Sequence, residues 1–364
     1  MPAIDFRAHR PFVIAGPCSA ETEEQVLQTA RDLAAEGRTH LFRAGIWKPR
    51  TRPGTFEGVG SEGLRWLKRV KAETGLPVTT EVANREHVFE AVKHGIDVLW
   101  IGARTTVNPF SVQEIADALE GVDVPVIVKN PINPDVALWR GAVERLQKAG
   151  ITQLAGLHRG FSSFGDSDFR NPPRWQMAIE FKQRMPELPL FVDPSHICGR
   201  RDTLAGVAQQ ALDLNYDGLM MEVHPDPDQA WSDAKQQITP ARFGQLVAAL
   251  RVPQATSDDP VFLQSLGSLR QQIDEIDEDV LNLLATRMQL ASEIGRYKRD
   301  NNIAILQPDR WQAILDESAR RAEQRGLSAD LVQRVFKAIH QESINRQENV
   351  MRGAASDSES AVNT

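Results

Sequence analysis

The 364-residue sequence lacks the features that mark secreted, membrane and disulfide-stabilised proteins. It contains only two cysteines, Cys18 and Cys198, which excludes a disulfide framework and leaves each thiol as a candidate metal ligand or a small core residue. No run of about 18 apolar residues occurs, and the first residues lack the basic start, apolar stretch and cleavage site of a signal peptide. We therefore expect a soluble, cytoplasmic protein that does not cross a membrane.

The sequence also lacks an excess of positive charge and a dinucleotide-binding fingerprint. The net charge is -7 and 25% of the residues are charged, which is ordinary for a globular protein and gives no reason to expect nucleic acid as a partner. No GxGxxG motif is found. The length fits one large domain and one small one, since a domain typically takes about 100–200 residues.

Short apolar runs alternate with amphipathic segments over the first 250 residues. Segments such as Glu21–Glu36, Gly63–Thr74 and Asp135–Ala149 have a helical period, so each unit predicts a strand followed by a helix. Eight such units predict a closed (β/α)8 TIM barrel rather than an open doubly wound sheet, with its reactive groups at the C-terminal ends of the strands. The predicted strands are Phe12–Cys18, Leu41–Trp47, Pro77–Val82, Val98–Ala103, Val124–Asn130, Ile151–Arg159, Leu188–His196 and Gly218–Val223.

Four possible metal ligands fall at or just after predicted strand ends. Cys18 ends the first strand, His196 the seventh, Glu222 lies at the end of the eighth, and Asp233 follows eleven residues later. A thiolate, an imidazole and two carboxylates suit a borderline divalent metal such as manganese, iron, zinc or cobalt. Any one of these residues alone could be an ordinary polar loop residue, but the four together favour a metal site. We interpret Cys198 as a core residue.

A second set of residues at the predicted strand ends is cationic. Its six members are Arg43, Lys48, Arg50, Arg104, Lys129 and Arg159. Clustered cations repel one another unless an anion lies between them, and Arg offers a two-pronged fork to phosphate or carboxylate. A surface salt bridge is the alternative for any single member. The set predicts substrates that carry several negative charges.

Beyond residue 250 the pattern changes to a Pro-bounded linker and a helical domain. We predict a first helix of about 35 residues, ~52 Å long, a second over Asp309–Arg325, and a third from Ser328 as N-cap to about Met351. So small a domain cannot bury so long a helix alone, which predicts a dimer. The expected organisation is a barrel over 1–250, a linker over 251–263, a three-helix domain over 264–352 and a disordered tail over 353–364.

The barrel motifs GPCS, RAGIWKPRT, GARTT, VKNP, HRGF, DPSH and MEVHPDPDQAWSD occur in this order. In this respect residues 10–250 resemble the type I 3-deoxy-D-arabino-heptulosonate-7-phosphate (DAHP) synthase family. The resemblance implies condensation of phosphoenolpyruvate with erythrose 4-phosphate and one divalent metal per barrel, with Mn²⁺ expected first and Fe²⁺, Co²⁺ or Zn²⁺ possible. Related octulosonate synthases have a KANRSS-like segment where this chain has KPRT, which favours the four-carbon aldehyde.

The resemblance also implies roles for the strand-end residues. The metal would be held by Cys18, His196, Glu222 and Asp233; the phosphate of phosphoenolpyruvate by Arg104, Lys129 and Arg159; its carboxylate by Arg43 and Lys48; and the sugar would face Arg50 and Thr51. Lys48 is the candidate catalytic proton donor or water-positioning group, with Glu81 and His224 as weaker candidates. His158 stands where many relatives have Glu.

Cations of unusual spacing occur in the predicted helical domain. Arg287 and Lys298 are eleven residues apart, within about 20° on one helix face, whereas Arg270 lies ~25 Å along the axis and could reach their ligand only from an antiparallel partner. With Ser343 and Gln347 one turn apart on the third helix, residues 262–350 resemble the helical chorismate mutase family.

That resemblance implies rearrangement of chorismate to prephenate without a cofactor. Arg270 of one protomer would join Arg287, Lys298, Gln307, Arg310, Ser343 and Gln347 of the other. The reaction needs two clamped carboxylates and a stabilising group at the ether oxygen, a role that Lys298 and Gln347 fit. The family often has Asp where this chain has Gln307.

Three interpretations stay open. The first is a DAHP synthase fused to an active chorismate mutase; the second makes the helical domain a non-catalytic dimeriser and sensor; the third gives the barrel another phosphorylated aldose. We also hypothesise that the helical domain senses prephenate and feeds back on the barrel.

Overall fold

The computed structural model describes residues 4–48, 54, 56–165 and 167–353. The chain divides into two compact units, with the boundary between Ala255 and Thr256. Arg50 and Thr51, together with the predicted tail beyond residue 353, lie outside the described residues. No helix in the described parts of the chain combines the length and the apolar character that a membrane crossing requires.

The first unit is a closed barrel of eight parallel strands in sequence order, in which the last strand pairs with the first. The prediction of a TIM barrel is therefore confirmed. Each strand lies within one of the predicted apolar runs. The strands are β1 (Phe12–Gly16), β2 (Leu41–Arg43), β3 (Val78–Val82), β4 (Val98–Ile101), β5 (Val126–Lys129), β6 (Leu154–His158), β7 (Leu190–Val192) and β8 (Gly218–Glu222).

The helices of this unit carry apolar faces that pack on the barrel. The first, for example, buries Val26, Leu27, Ala30 and Leu33 and begins at Thr22, whose side chain accepts a hydrogen bond from the amide of Gln25. The helices are α1 (Glu23–Glu36), α2 (Glu62–Thr74), α3 (Arg85–Lys93), α4 (Ala103–Thr106), α5 (Pro109–Ala118), α6 (Val136–Lys148), α7 (Trp175–Arg184), α8 (Pro194–Cys198), α9 (Leu204–Asp213) and α10 (Pro240–Ala249).

Several predicted strands extend too far at their C-terminal ends. Ala103 begins α4, and His196 lies in α8 rather than at the end of β7. The second difference has a local cause. Pro194 occupies the first turn of α8, and the Asp193 side chain accepts a hydrogen bond from the His196 amide, 3.0 Å away, so the chain turns into a capped helix as soon as it leaves the sheet.

The barrel interior changes from apolar to charged along its axis. Phe6, which precedes β1, packs edge-on against Phe12 and Phe191, with ring centroids 5.6 Å from each, and closes the N-terminal end. The last residues of three strands, in contrast, are buried and charged: Arg43, Lys129 and Glu222. Functional groups are thereby confined to the C-terminal mouth.

The second unit consists of α11 (Pro260–Asp300), α12 (Pro308–Glu323) and α13 (Ala329–Met351). The first helix has 41 residues, longer than predicted, because it begins inside the segment predicted as linker. The side chain of Asp259 accepts hydrogen bonds from the amides of Val261 and Phe262, and Pro260 occupies the first turn. The predicted cap of α13 is confirmed, since Ser328 accepts a hydrogen bond from the Leu331 amide.

Most of the apolar side chains of α11 are exposed within the single chain. Only Ala291 and Gly295 of this helix are buried. The exposed apolar residues include Leu269, Ile273, Ile276, Val280 and Leu283, which are 48% to 70% exposed. We call these five residues the α11 stripe, because their three- and four-residue spacing places them on one side of the helix.

Candidate active site

Three of the four predicted metal ligands converge at the barrel mouth. Cys18 follows β1, Glu222 ends β8, and Asp233 lies in the loop after β8. One ligand atom from each, the Cys18 sulfur and a carboxylate oxygen of each acid, lies within 4.8 Å of the others. Cys18 Sγ lies 3.4 Å from Asp233 Oδ2. We call these three residues the ligand cluster.

His196 lies beside the ligand cluster but is not a member of it. Its Nε2 is 3.8 Å from Glu222 Oε1, and its Nδ1 is 2.7 Å from Asp193 Oδ2. A carboxylate at Nδ1 fixes the ring orientation and leaves Nε2 available, an arrangement common around metal-bound histidines. Asp193, which the sequence analysis did not single out, is therefore part of the site.

The electrostatics of the ligand cluster suit a bound cation. Burial, followed by the Glu222 charge, raises the pKa of the Cys18 thiol to about 12, so binding a metal through this sulfur would release a proton. Burial also acts to raise the pKa of Glu222, but His196 and Arg43 outweigh it and hold that pKa below its ordinary value. Glu222 Oε1 is buried and accepts no hydrogen bond from the described residues, as expected of an oxygen that a metal would satisfy.

Arg43 is the most deeply buried cation of the predicted substrate set. Its Nη2 is 3.2 Å from Glu222 Oε1, and its guanidinium lies 5.1 Å from the centre of the Trp100 ring. Its Nε and Nη1 are buried and have no hydrogen-bond partner within the described chain. Two unsatisfied donors on a buried guanidinium are costly unless an anion accepts from them.

Lys129 and Arg159 are also buried at the mouth. Lys129 Nζ lies 3.1 Å from Asp193 Oδ2, and burial lowers the pKa of Lys129 although Asp193 opposes the change. Arg159 Nη1 donates to Asn171 Oδ1 over 2.7 Å. Burial lowers the pKa of Arg159 to about 10; Asp193 opposes this change, and Arg170 and Arg104 add to it. Arg104, in α4, is exposed. Its charge acts on Arg159, and the charge of Asp193 acts on both Arg159 and Lys129, so the three predicted phosphate ligands lie within electrostatic reach of one region.

Lys48 borders the ligand cluster. Its ammonium donates to the carbonyl oxygen of Cys18, and Nζ lies 3.3 Å from Cys18 Sγ. The two weaker proton-transfer candidates are already engaged: Glu81 Oε2 accepts from Trp100 Nε1 over 3.0 Å, and His224 Nε2 lies 3.4 Å from Glu21 Oε2. Among these three candidates, Lys48 is the one whose contact with a ligand-cluster atom is described above.

His158 and Cys198 serve the core rather than the mouth. His158 Nε2 lies 2.7 Å from the carbonyl oxygen of Pro173, and Nδ1 lies 2.9 Å from the Tyr216 hydroxyl. A carbonyl only accepts hydrogen bonds, so Nε2 carries the proton and Nδ1 accepts from Tyr216. Cys198 is buried among apolar residues.

Besides Asp193, the sequence analysis missed Arg170, Gln236 and Gln237 at the mouth. Arg170 Nη1 lies 2.9 Å from Asp233 Oδ1, and the two glutamines are buried in the loop that carries Asp233. The signal for the two glutamines in the sequence is the DAKQQ segment that begins at Asp233.

In the helical unit, α11 and α13 bring four of the predicted residues together. Arg287 Nη1 donates to Ser343 Oγ over 2.6 Å. Gly295 allows close packing here, since a Cβ at this position would lie 3.1 Å from the Cα of Gln347. The Gln347 Oε1 atom is buried without a partner among the described residues. Lys298 donates to the carbonyl of Ile305, and burial lowers the pKa of Lys298.

The remaining predicted residues of this unit are exposed in the single chain. Gln307 is the N-cap of α12, and Arg310 lies in its first turn. Arg270 is exposed on α11, 17 residues before Arg287, so about 25 Å of helix separates them. A stacked pair that the sequence analysis missed lies nearby: the rings of Trp311 and His340 are 3.8 Å apart.

Comparison with known proteins gives each unit a family. The model of the DAHP synthetase I family matches residues 6–254, and that of chorismate mutase type II matches residues 269–348. Phospho-2-dehydro-3-deoxyheptonate aldolase of Thermotoga maritima is 31% identical over 239 residues, which cover 66% of this chain and 68% of that protein. A 2-dehydro-3-deoxyphosphooctonate aldolase of Acidithiobacillus ferrooxidans is 30% identical over 262 residues, covering 67% of this chain and 89% of that protein.

A solved structure supports the same assignment. The crystal structure of the Thermotoga maritima DAHP synthase superimposes with a TM-score of 0.58 at 29% identity, covering 65% of this chain and 66% of that one. The chain thus spans about two thirds of the length of that protein. Since the first family match extends over more than half of the residues, the chain belongs to the DAHP synthetase I family and carries a chorismate mutase type II segment after its barrel.

Proposed function

We propose that the barrel condenses phosphoenolpyruvate with erythrose 4-phosphate in a metal-dependent reaction. The observation that carries this proposal is the ligand cluster, whose three ligand atoms lie within 4.8 Å of one another beside buried cations. Cys18, Glu222 and Asp233, with Nε2 of His196, would hold one divalent ion, Mn²⁺ before Fe²⁺, Co²⁺ or Zn²⁺. Such an ion supplies Lewis acidity toward the aldehyde oxygen.

The cations would bind and orient the enol phosphate. The two unpartnered donors of Arg43 are proposed to bind its carboxylate together with Lys48, and Lys129, Arg159 and Arg104 its phosphate. Carbon three of phosphoenolpyruvate is a weak nucleophile, so its approach to the aldehyde carbon depends on such positioning. The same cations would stabilise the negative charge of the phosphate group as it leaves.

The reaction also requires a proton and a water. As the new carbon–carbon bond forms, the aldehyde oxygen takes up a proton; water then adds at carbon two of phosphoenolpyruvate, and inorganic phosphate leaves. The ammonium of Lys48, 3.3 Å from Cys18 Sγ, is proposed to donate that proton or to position the water. Arg50 and Thr51 are proposed to face the sugar.

We propose that the helical unit rearranges chorismate to prephenate. The contact that favours turnover over a purely structural role is that of Arg287 with Ser343, whose backbone carbonyl accepts a hydrogen bond from the buried amide of Gln347. Arg287 and Arg310 would clamp the carboxylates, Lys298 and Gln347 would face the ether oxygen, and Gln307 would face the substrate hydroxyl.

The mutase site would be completed by a second copy of the chain. The exposed α11 stripe is the apolar surface that a partner helix would cover. An antiparallel α11 from a partner could bring Arg270 to a site that this residue cannot reach in its own chain. We therefore propose a homodimer through the helical unit.

We further propose that prephenate binds the helical unit and lowers barrel activity. Barrel activity that is unchanged at saturating prephenate overturns this proposal. A cytoplasmic location stays a prediction from the sequence.

The test is a kinetic assay of the metal-loaded chain, which follows loss of phosphoenolpyruvate with erythrose 4-phosphate and, separately, loss of chorismate. We expect both activities, with chelation and Cys18→Ala abolishing only the first and Arg287→Ala only the second. If only the synthase activity is found, the helical unit is a non-catalytic sensor and dimeriser. If neither phosphoenolpyruvate nor chorismate is consumed, the proposed chemistry is overturned.

A second candidate for the barrel is a synthase that uses a five-carbon phosphorylated aldose, which the similarity to a 2-dehydro-3-deoxyphosphooctonate aldolase favours. Product masses from a panel of phosphorylated aldoses decide between the two. A higher kcat/KM for erythrose 4-phosphate supports the first proposal.

A further inference from the structure

In each carboxylate of the ligand cluster, one oxygen accepts a hydrogen bond from a residue outside the cluster. Gln236 Nε2 donates to Glu222 Oε2 over 2.6 Å, and Arg170 Nη1 donates to Asp233 Oδ1 over 2.9 Å. The opposite oxygens face the cluster: Glu222 Oε1 is 3.8 Å from His196 Nε2, and Asp233 Oδ2 is 3.4 Å from Cys18 Sγ. Glu222 Oε1, which also lies 3.2 Å from Arg43 Nη2, and Asp233 Oδ2 are thus the carboxylate oxygens that a ligand at the cluster would meet.

The two outer residues are linked to each other. Arg170 Nη1 also donates to Gln236 Oε1 over 2.6 Å, so both ends of the Gln236 amide are hydrogen-bonded. Gln236 is only 1% exposed, and therefore water does not compete for its bond to Glu222. Arg170, in contrast, has a side chain that is 46% exposed, which makes Gln236 the firmer of the two contacts.

Gln237 holds the remaining member of the cluster. Its Oε1 accepts from the backbone amide of Cys18 over 3.0 Å, and its Nε2 donates to the carbonyl of Ser232 over 2.8 Å. Gln237 is fully buried. Its side chain therefore ties the turn after β1 to the residue that precedes Asp233, in the loop after β8.

We propose that Gln236 and Gln237, with Arg170, are positioning residues that present Cys18, Glu222 and Asp233 to the metal through one atom each. The inference rests on the proposed metal-dependent function. Without the Gln236 amide, the Glu222 carboxylate can rotate or present both oxygens; without the Gln237 amide, the Cys18 turn can move away from Asp233. Hydrogen-bond partners of metal ligands typically change metal affinity about 10–100-fold when they are removed.

The experiment measures the affinity of the full chain for Mn²⁺ by competition with a chelator, with free Mn²⁺ detected by its paramagnetic resonance signal. We compare wild type with Gln236→Met and Gln237→Met, which remove the amide without changing net charge. Gln245→Met is the matched control, because Gln245 is exposed on α10. We expect Kd to rise about 10–100-fold in the first two variants and to stay unchanged in the control.

Two further measurements separate positioning from misfolding. Phosphoenolpyruvate binding in the presence of chelator reports on whether the cationic mouth has folded, and it should be retained. Gln236→Asn keeps a buried amide but shortens it, so we expect this milder variant to fold and still to lose affinity. With Co²⁺ as a second probe, we expect the cobalt–thiolate absorption band to change in Gln237→Met.

The outcomes distinguish this inference from the proposed function. Suppose that wild type binds Mn²⁺ stoichiometrically and that the folded Gln236 and Gln237 variants bind it with a Kd within twofold of the wild-type value. This result overturns the positioning role alone. Absence of stoichiometric binding by wild type overturns the metal-dependent function and this inference together.

Discussion

Among single residues, the buried charges at the barrel mouth are stabilised in pairs that share partners. Asp193 contacts both Lys129 and His196, and Glu222 contacts both Arg43 and Gln236. Breaking a buried ion pair from one side leaves the other charge without compensation, whereas removing both charges together costs much less. The stability of the mouth therefore depends on charge balance as well as on packing.

We expect Arg43→Met to lower the free energy of unfolding of the barrel by about 3–5 kcal/mol, because Glu222 would remain buried and charged without its guanidinium partner. The double variant Arg43→Met with Glu222→Gln should recover part of this loss. Urea unfolding in chelator, followed by tryptophan fluorescence, measures both, since six of the seven tryptophans precede residue 255. A double variant that is no more stable than the single one would attribute the loss to packing against Trp100 instead.

We expect the buried His158 to make the free energy of unfolding sensitive to acid. Burial lowers its pKa from 6.5 to about 4, so between these pH values the unfolded chain binds a proton that the folded chain excludes. Stability from this residue is fully present above pH 6.5 and is lost as the pH falls toward 4, by about 3 kcal/mol in total. His158→Gln, which can keep both hydrogen bonds, should flatten this part of the stability–pH profile.

The measurement is the free energy of urea unfolding at several pH values between 4 and 7. His94→Gln is the control, because His94 is half-buried at the end of α3 and accepts no bond from Tyr216. An equally steep profile in His158→Gln and in wild type would assign the acid sensitivity to other groups.

Among the elements, the long helix α11 has the clearest unmet packing requirement. The α11 stripe is exposed along one side of the helix, whereas α13 covers the region around Ala291 and Gly295. An amphipathic helix of this length gains little stability by itself and depends on burial of its apolar side. The stripe is therefore the surface through which the proposed dimer would form.

We expect Ile276→Asp to convert a dimer to a monomer and to abolish chorismate turnover, because a carboxylate buried between two helices would lack a partner. Asn282→Asp, which adds the same charge about 150° away from the middle of the stripe, should leave the dimer and the turnover intact. Sedimentation velocity at several protein concentrations measures the first effect. A monomeric Ile276→Asp chain that still turns over chorismate would contradict the idea that Arg270 comes from a partner.

The same elements show which parts of the structure are readable from the sequence. The eight units were predictable because apolar runs and amphipathic helices recur along the chain, and Ser328 was predictable because capping is a local property. The ends of the runs were not, since Ala103 and His196 lie in helices that begin where the chain leaves the sheet. Asp193, Gln236 and Gln237 were missed because their roles depend on contacts with residues distant in sequence.

For the whole molecule, the division near residue 255 predicts that the two units unfold separately, so that a metal bound in the barrel protects the barrel alone from unfolding. Mn²⁺ at about 100 times its Kd should stabilise the folded barrel by about 2.7 kcal/mol, since the metal binds the folded state and its ligands are scattered in the unfolded one. Hydrogen exchange followed by mass spectrometry should show greater protection in the barrel and no change over 256–353. Cys18→Ala should remove the effect. Equal protection of both units would mean that they unfold together.

The pairing of β1 with β8 also has a consequence for how the protein is made. Cys18 emerges from the ribosome more than 200 residues before Glu222, Asp233 and the two glutamines. The ligand cluster cannot exist until the last strand has closed against the first. A chain that ends before β8 therefore lacks both carboxylates of the ligand cluster, and a metal held as proposed could bind only after the barrel has closed.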